Sequence, residues 1–152
     1  VASPEPLEVL DTPALRTLLA AGHVVVAAGG GGIPVVRDAA GRLRGVEAVI
    51  DKDLTAALLA RTLDADVLVI ATDVDHAAVD WGTPQQRELC RVTLDEMRGH
   101  AANGQFASGS MGPKVDAAVR FVAGGGPRSV ITSLTHITDA VEGGFGTVIE
   151  AD

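Results

Sequence analysis

Tyrosine is missing from this 152-residue chain, and aromatic residues of any kind are scarce: three phenylalanines and one tryptophan. That scarcity excludes an aromatic platform for stacking single-stranded nucleic acid. Basic residues are outnumbered, twelve against twenty acidic, so the net charge is −8. A nucleic-acid partner needs a basic face, and none is provided. No apolar run is long enough to span a membrane, and no signal peptide is recognisable. A single cysteine, Cys90, rules out an internal disulfide framework. It suits a reducing, cytoplasmic setting and reads as a small packed side chain.

Glycine and alanine, by contrast, are abundant, and nearly half of the residues are apolar. The length fits one domain, residues 1–152. The chain opens on Val1 and a Pro-rich SPEP stretch, which reads as the middle of a longer or processed polypeptide.

Strand-like and helix-like segments alternate. Asp11-Thr12-Pro13 reads as a capped helix start with proline in the first turn, running to about Gly22. HVVVAA, His23 to Ala28, is short, apolar and β-branched, and reads as a buried strand. The hairpin signal follows the GGGG turn, with IPVV and RDAAGRLRG folding back at Ala40-Gly41, and VEAVI is a further extended run. Asp53 is positioned to cap the next helix, LTAALLARTLDA. DVLVIA, SVITSL and GTVIEA read as three more strands. Thr93 and Glu96 have capping-box spacing, Pro113 opens a helix over KVDAAVRFVA, and HITDAVEGG is a short one. The pattern predicts an α/β fold, a three-layer αβα sandwich with a mostly parallel sheet. Ligands in such folds sit at the carboxyl ends of the strands.

Two lysines stand in settings that ordinary surface lysines do not require. Lys52 lies in VIDKDL, between two aspartates at the end of an extended run. Its structural reading is a surface salt bridge worth little. Its functional reading is charge neutralisation on a transferring phosphoryl group, with Asp53 orienting it. Lys114 lies in GSMGPK, in the first turn of a helix, where a cation opposes the helix dipole. A solvated lysine is one reading; an anion held there by lysine and free N–H groups is the other. GSMGPK is not a Walker A loop, because proline splits the glycine–lysine pair and no Ser or Thr follows. Gly29, Gly30, Gly31 and Gly32 read either as a tight turn or as backbone left bare for an anion. Pro34 and the following hairpin exclude the dinucleotide fingerprint.

His23, His76, His100 and His136 are scattered, without metal-ligand spacing, and read as structural or exposed. Asp73, Asp75 and Asp80 do not complete a calcium loop. No protein-held metal site is expected. Trp81 suits either a flat base or a packing role.

Taken in order, AAGGGGIPVV, GVEAVIDKDLTAALLA, DVLVIATDVD, WGTPQQ, FASGSMGPKVDAAVRFV and GTVIE resemble carbamate kinase, of the amino acid kinase fold. The resemblance runs nearly from end to end, and the pairing of IDKDL with GSMGPK is its specific part. It implies reversible phosphoryl transfer between ATP and carbamate, with Mg²⁺ accompanying ATP or ADP, often as the last step of arginine fermentation. It implies catalytic roles for Lys52, Asp53 and Lys114. It places Thr72, Asp73, Val74, Trp81, Met111 and Gly112 at the nucleotide, and Gly29 to Gly32 at the carbamoyl phosphate. It implies a cytoplasmic enzyme, dimeric when complete, with no nucleic-acid or membrane partner. The family's N-terminal half, with another glycine loop and a lid-like subdomain, is not in this chain. The chain is therefore expected to be the C-terminal, nucleotide-binding half. Two alternatives remain: a half that binds ADP or ATP without turnover, and an amino acid kinase for another small acid.

Overall fold

The computed structural model describes residues 1–151. The first helix, α1 (Thr12–Ala20), carries Pro13 in its first turn, where a missing N–H costs nothing. Asp11 makes no side-chain capping bond; Thr12 instead donates to the Val9 carbonyl at 2.6 Å. The helix stops before Gly22, whose φ of 82° is left-handed.

His23–Ala28 does not form a strand. Val24 and Val26 are fully or almost fully exposed, 100% and 96%. A strand is defined by its ladder, and no second segment among the described residues pairs with this one. The apolar run has the composition of a core strand without a neighbour to make it one.

The hairpin forms as expected, β1 (Val35–Arg37) against β2 (Leu43–Gly45), with Val36 opposite Arg44. Asp38 shapes its turn by accepting from the Ala40 and Arg42 backbones at 2.9 and 3.0 Å. The Arg42 N–H, foremost, holds this half-buried carboxyl below its usual range. VEAVI is not a strand; it makes one isolated parallel bridge, Ala48 to Ala2, and Val46 N donates to the Pro34 carbonyl at 3.2 Å.

Helix α2 (Lys52–Thr62) is capped by Asp51 and not by Asp53. Asp51 has an extended backbone, so its carboxylate turns back to accept from Asp53 N at 2.8 Å and Leu54 N at 3.0 Å. Asp53, one residue into the helix, is carried inward and buried. The next strand, β3 (Val67–Thr72), is followed by the short β4 (Ala78–Val79), β5 (Arg87–Glu88) and β6 (Arg91–Thr93). The segment between β3 and the next helix thus contains three short strands. Cys90 between them is exposed, not packed, because Leu89 and Val92 take the inward positions.

Helix α3 (Leu94–Ala102) has the reciprocal capping box, with Glu96 N donating to Thr93 Oγ1 at 3.2 Å and Thr93 N donating to Glu96 Oε2 at 2.9 Å. Helix α4 (Met111–Ala123) starts two residues before Pro113 and leads into β7 (Arg128–Ser133). A 3₁₀ turn (Leu134–His136), α5 (Ile137–Glu142) and β8 (Thr147–Glu150) complete the chain.

The main sheet has the order β3-β7-β8-β6, with β3–β7 and β6–β8 parallel and β7–β8 antiparallel. On one face, Ala57, Met97, Val115 and Phe121 of α2, α3 and α4 pack on Leu68, Ile70, Ile131 and Ile149. On the other, Ala140 of α5 covers Val130 and Val148. This is the expected αβα sandwich, and β3 and β6 are its edges among the described residues. No helix of the described residues is long and apolar enough to cross a membrane.

Candidate functional site

Helices α2 and α4 pack side by side and present their N-termini together. Each begins with the sequence feature that singled it out. Lys52 is the first residue of α2, and Lys114 is in the first turn of α4. Asp53 sits between them. Lys114 Nζ donates to Asp53 Oδ2 at 3.0 Å, and Lys52 Nζ lies 3.8 Å from the same oxygen. The Asp53 and Lys114 side chains are only 10% and 13% exposed, whereas that of Lys52 is 60% exposed. Asp53 therefore belongs first to Lys114, although the sequence suggested that it orients Lys52. The longer Lys52 contact is an exposed pair, worth about 0–1 kcal/mol. Lys52 is thus an accessible ammonium beside a buried, fixed one.

The glycine turn reaches the same place. Thr55, buried one turn into α2, donates to the Gly31 carbonyl at 2.9 Å and to Asp51 O at 3.1 Å. Gly31 has φ 127°, and a Cβ there would lie 2.1 Å from the Ile50 carbonyl oxygen. Only glycine fits so close to the backbone that leads into α2. Around Gly29, Gly30 and Gly32 the space a Cβ would occupy is open. One glycine anchors the turn; three leave backbone uncovered.

A cavity of about 530 Å³ opens beyond the carboxyl end of β3. Thr72, Asp73, Val74, Trp81 and Met111, all expected at a nucleotide, line it. Gly112 does not. It lines a neighbouring cavity of about 260 Å³ between α3 and α4, and approaches the Ala107 carbonyl too closely for a side chain. Lys52, Asp53, Lys114 and the glycine turn are outside the lining of the larger cavity. Helix α4 connects the two regions: Met111 faces the cavity, and Lys114 lies three residues further along.

Several lining residues were not legible in the sequence. Asp80, Gln105, Phe106 and His76 all line the larger cavity. His76 was read only as structural or exposed; its ring is 5.0 Å from that of Phe145 and it forms part of the cavity wall. Gln105 and Phe106 lie in NGQFASGSMG, a segment rich in glycine and serine. Their one sequence signal is a polar–aromatic pair interrupting small residues.

The arrangement offers a mixed apolar and polar slot for a flat group, with cations and helix N-termini close by for charge. It offers no cage for a metal. Among the described residues no three His, Cys, Asp or Glu side chains gather to hold an ion. Asp53, the buried carboxylate of the cluster, is already held by Lys114. The donor set does not fit a protein-held Mg²⁺, an ion that commonly comes with phosphates and water as its main ligands.

Comparison with known proteins decides the family. The amino acid kinase family model matches residues 2–133. The chain belongs to the amino acid kinase family. Within it, the chain is 49% identical over 149 residues to a carbamate kinase of Thermoplasma volcanium, and 47% identical to one of Thermococcus kodakarensis. Each alignment covers 98% of this chain but only 48% and 47% of the relative. The chain spans about half the length of the curated relatives it matches. Among solved structures, carbamate kinase from Giardia lamblia bound to AMP-PNP superposes with a TM-score of 0.97 at 44% identity, over 100% of this chain and 48% of that one. The more distant N-acetylglutamate synthase of Neisseria gonorrhoeae, at 24% identity and a TM-score of 0.65, covers 93% of this chain and 31% of its own, and shares the fold. The amino acid kinase fold and the likeness to carbamate kinases anticipated from IDKDL and GSMGPK are both found.

Proposed function

We propose that this chain is the C-terminal, nucleotide-binding half of a carbamate kinase. The observation that carries the reading is the Lys52–Asp53–Lys114 cluster at two adjoining helix N-termini, beside a cavity large enough for a nucleoside. In the reaction, the bond from phosphorus to the bridging oxygen of carbamoyl phosphate breaks and a bond from phosphorus to a terminal oxygen of ADP forms. The products are ATP and carbamate, which decomposes to carbon dioxide and ammonia. Little covalent work falls to the protein; positioning and charge stabilisation suffice. Lys114, fixed by Asp53, holds the outer phosphates. Lys52, exposed, meets the charge on the transferring group. The uncovered backbone of Gly29, Gly30 and Gly32 faces the acyl phosphate. The cavity lined by Thr72, Asp73, Val74, Trp81 and Met111 takes the base and ribose. Mg²⁺ accompanies the nucleotide phosphates. The reading extends to a cytoplasmic enzyme of arginine breakdown, dimeric when complete.

A second reading is that the half binds ADP or ATP without turnover. Its support is the coverage of only half of each relative, together with the exposed Val24 and Val26, which suit a missing neighbour. A kinase for another small acid is the weakest alternative, since the matched relatives are named for carbamate.

Both leading readings require the outer phosphates to matter. Calorimetric titration of the chain with Mg²⁺ present is expected to show ADP binding at least about tenfold tighter than AMP, roughly 1.4 kcal/mol. Equal affinities would remove the phosphate role of the lysine cluster.

A further inference from the structure

Among the described residues, Asp80 is one of three non-glycine residues with a left-handed backbone, at φ 53°. Such a conformation persists where its surroundings hold it, and it gathers at ligand sites. Here it is held on every polar atom but one carboxylate oxygen. Its N–H donates to Gln105 Oε1 at 2.7 Å, and Gln105 Nε2 donates back to Asp80 Oδ1 at 3.3 Å. Its carbonyl accepts from Thr83 N at 3.1 Å and from Thr83 Oγ1 at 2.8 Å. The two Gln105 bonds come from a loop 25 residues away, between α3 and α4. They need both ends of one amide, an acceptor for the backbone and a donor for the carboxylate. A carboxylate at position 105, which only accepts, could not supply that pair.

The clasp joins two walls of one cavity. Asp80 and Trp81 line it from one side, Gln105 and Phe106 from the other. Trp81 itself is 63% exposed, so packing does little to hold its indole. Its placement depends on the turn whose first residue Gln105 grips.

We propose that Gln105 is a positioning residue that, by clasping Asp80, sets Trp81 as the stacking wall for a flat nucleobase. This rests on the reading that the cavity takes a nucleotide, and deepens it by locating what orders the base end. Base–aromatic stacking favours binding where the ring is in place. A ring that swings freely forfeits part of that, and the loss falls on the base end alone. The phosphate end, at Lys52 and Lys114, lies outside this cavity's lining and is left as it was.

Trp81 is the sole tryptophan, so its emission reports this wall directly. The experiment measures Trp81 fluorescence anisotropy, and binding of ADP and of inorganic tripolyphosphate, for the unaltered chain and three variants. Gln105→Ala removes the clasp. Gln105→Glu sets a carboxylate against that of Asp80. Asp80→Asn/Gln105→Glu restores a donor–acceptor pair with the roles exchanged, and asparagine tolerates the left-handed backbone. Both single variants are expected to lower the anisotropy and to weaken ADP about tenfold, with tripolyphosphate changed by less than about twofold. The double variant is expected to regain most of the ADP affinity. A merely structural role would weaken ADP and tripolyphosphate alike, and that result overturns the proposal. So does unchanged ADP binding in the single variants while the unaltered chain binds normally, which leaves the nucleotide reading intact. Failure of the unaltered chain to bind ADP overturns the nucleotide reading itself, and the clasp's role with it.

Discussion

Replacing Lys114 by alanine in the complete enzyme is expected to slow phosphoryl transfer by about 10²–10³-fold, about 3–4 kcal/mol in the barrier. The magnitude follows from how the ammonium is held. It is largely buried, bonded to Asp53 at 3.0 Å, and presented in the first turn of α4. A charge that is already oriented and desolvated stabilises a developing phosphate charge without reorganising as the reaction proceeds. Lys114 also stands against the local helix dipole, an arrangement that an incoming anion relieves. Steady-state kinetics in the direction of ATP formation measures the effect. A loss below about tenfold in kcat/KM would return Lys114 to the class of ordinary solvated lysines.

Asp53→Ala is expected to destabilise the fold by about 3–5 kcal/mol, since it strands a buried ammonium without its counter-charge. The same carboxylate is near Lys52, but only at 3.8 Å and in solvent, so that contact adds little. Urea unfolding measures the change. The double variant Asp53→Ala/Lys114→Met separates the two roles of the pair. Removing both charges is expected to recover most of the stability, because an apolar replacement for a buried ion pair is often neutral or favourable. Activity should stay as low as in Lys114→Ala. A cost below about 1 kcal/mol for Asp53→Ala would mean that water reaches the pair and that Lys114 is not held as described.

The elements that follow from local pattern alone were legible. The strands over Val67–Thr72, Arg128–Ser133 and Thr147–Glu150 show as apolar runs, and the Thr93–Glu96 capping box shows in its spacing. The misreadings have separate physical causes. HVVVAA has strand composition, but a strand needs a ladder, and composition cannot say whether one is present. The strands Ala78–Val79, Arg87–Glu88 and Arg91–Thr93 are two or three residues long, too short to show a period. Both Asp51 and Asp53 have capping chemistry; the extended backbone of Asp51 decided between them. At the site, the lysines were legible from their unusual surroundings. Their meeting on one carboxylate, 61 residues from Lys114, was not, and neither was the reach of Gln105 across the cavity to Asp80.

Val24 and Val26, exposed in an apolar β-branched run, and β3 at the edge of the sheet describe surfaces suited to a covering partner. On the proposed function, this chain supplies the nucleotide and phosphate machinery of a carbamate kinase and needs the remaining half to turn over. The direct measurement is a coupled assay of ATP formation from carbamoyl phosphate and ADP. It would be run on the purified chain, with and without an N-terminal half taken from one of its carbamate kinase relatives, and with light scattering to follow assembly. The chain alone is expected to self-associate and to make little ATP, and the added half to restore ATP formation. Full activity from the monomeric chain by itself, or no ATP from an assembled pair of halves, would contradict it.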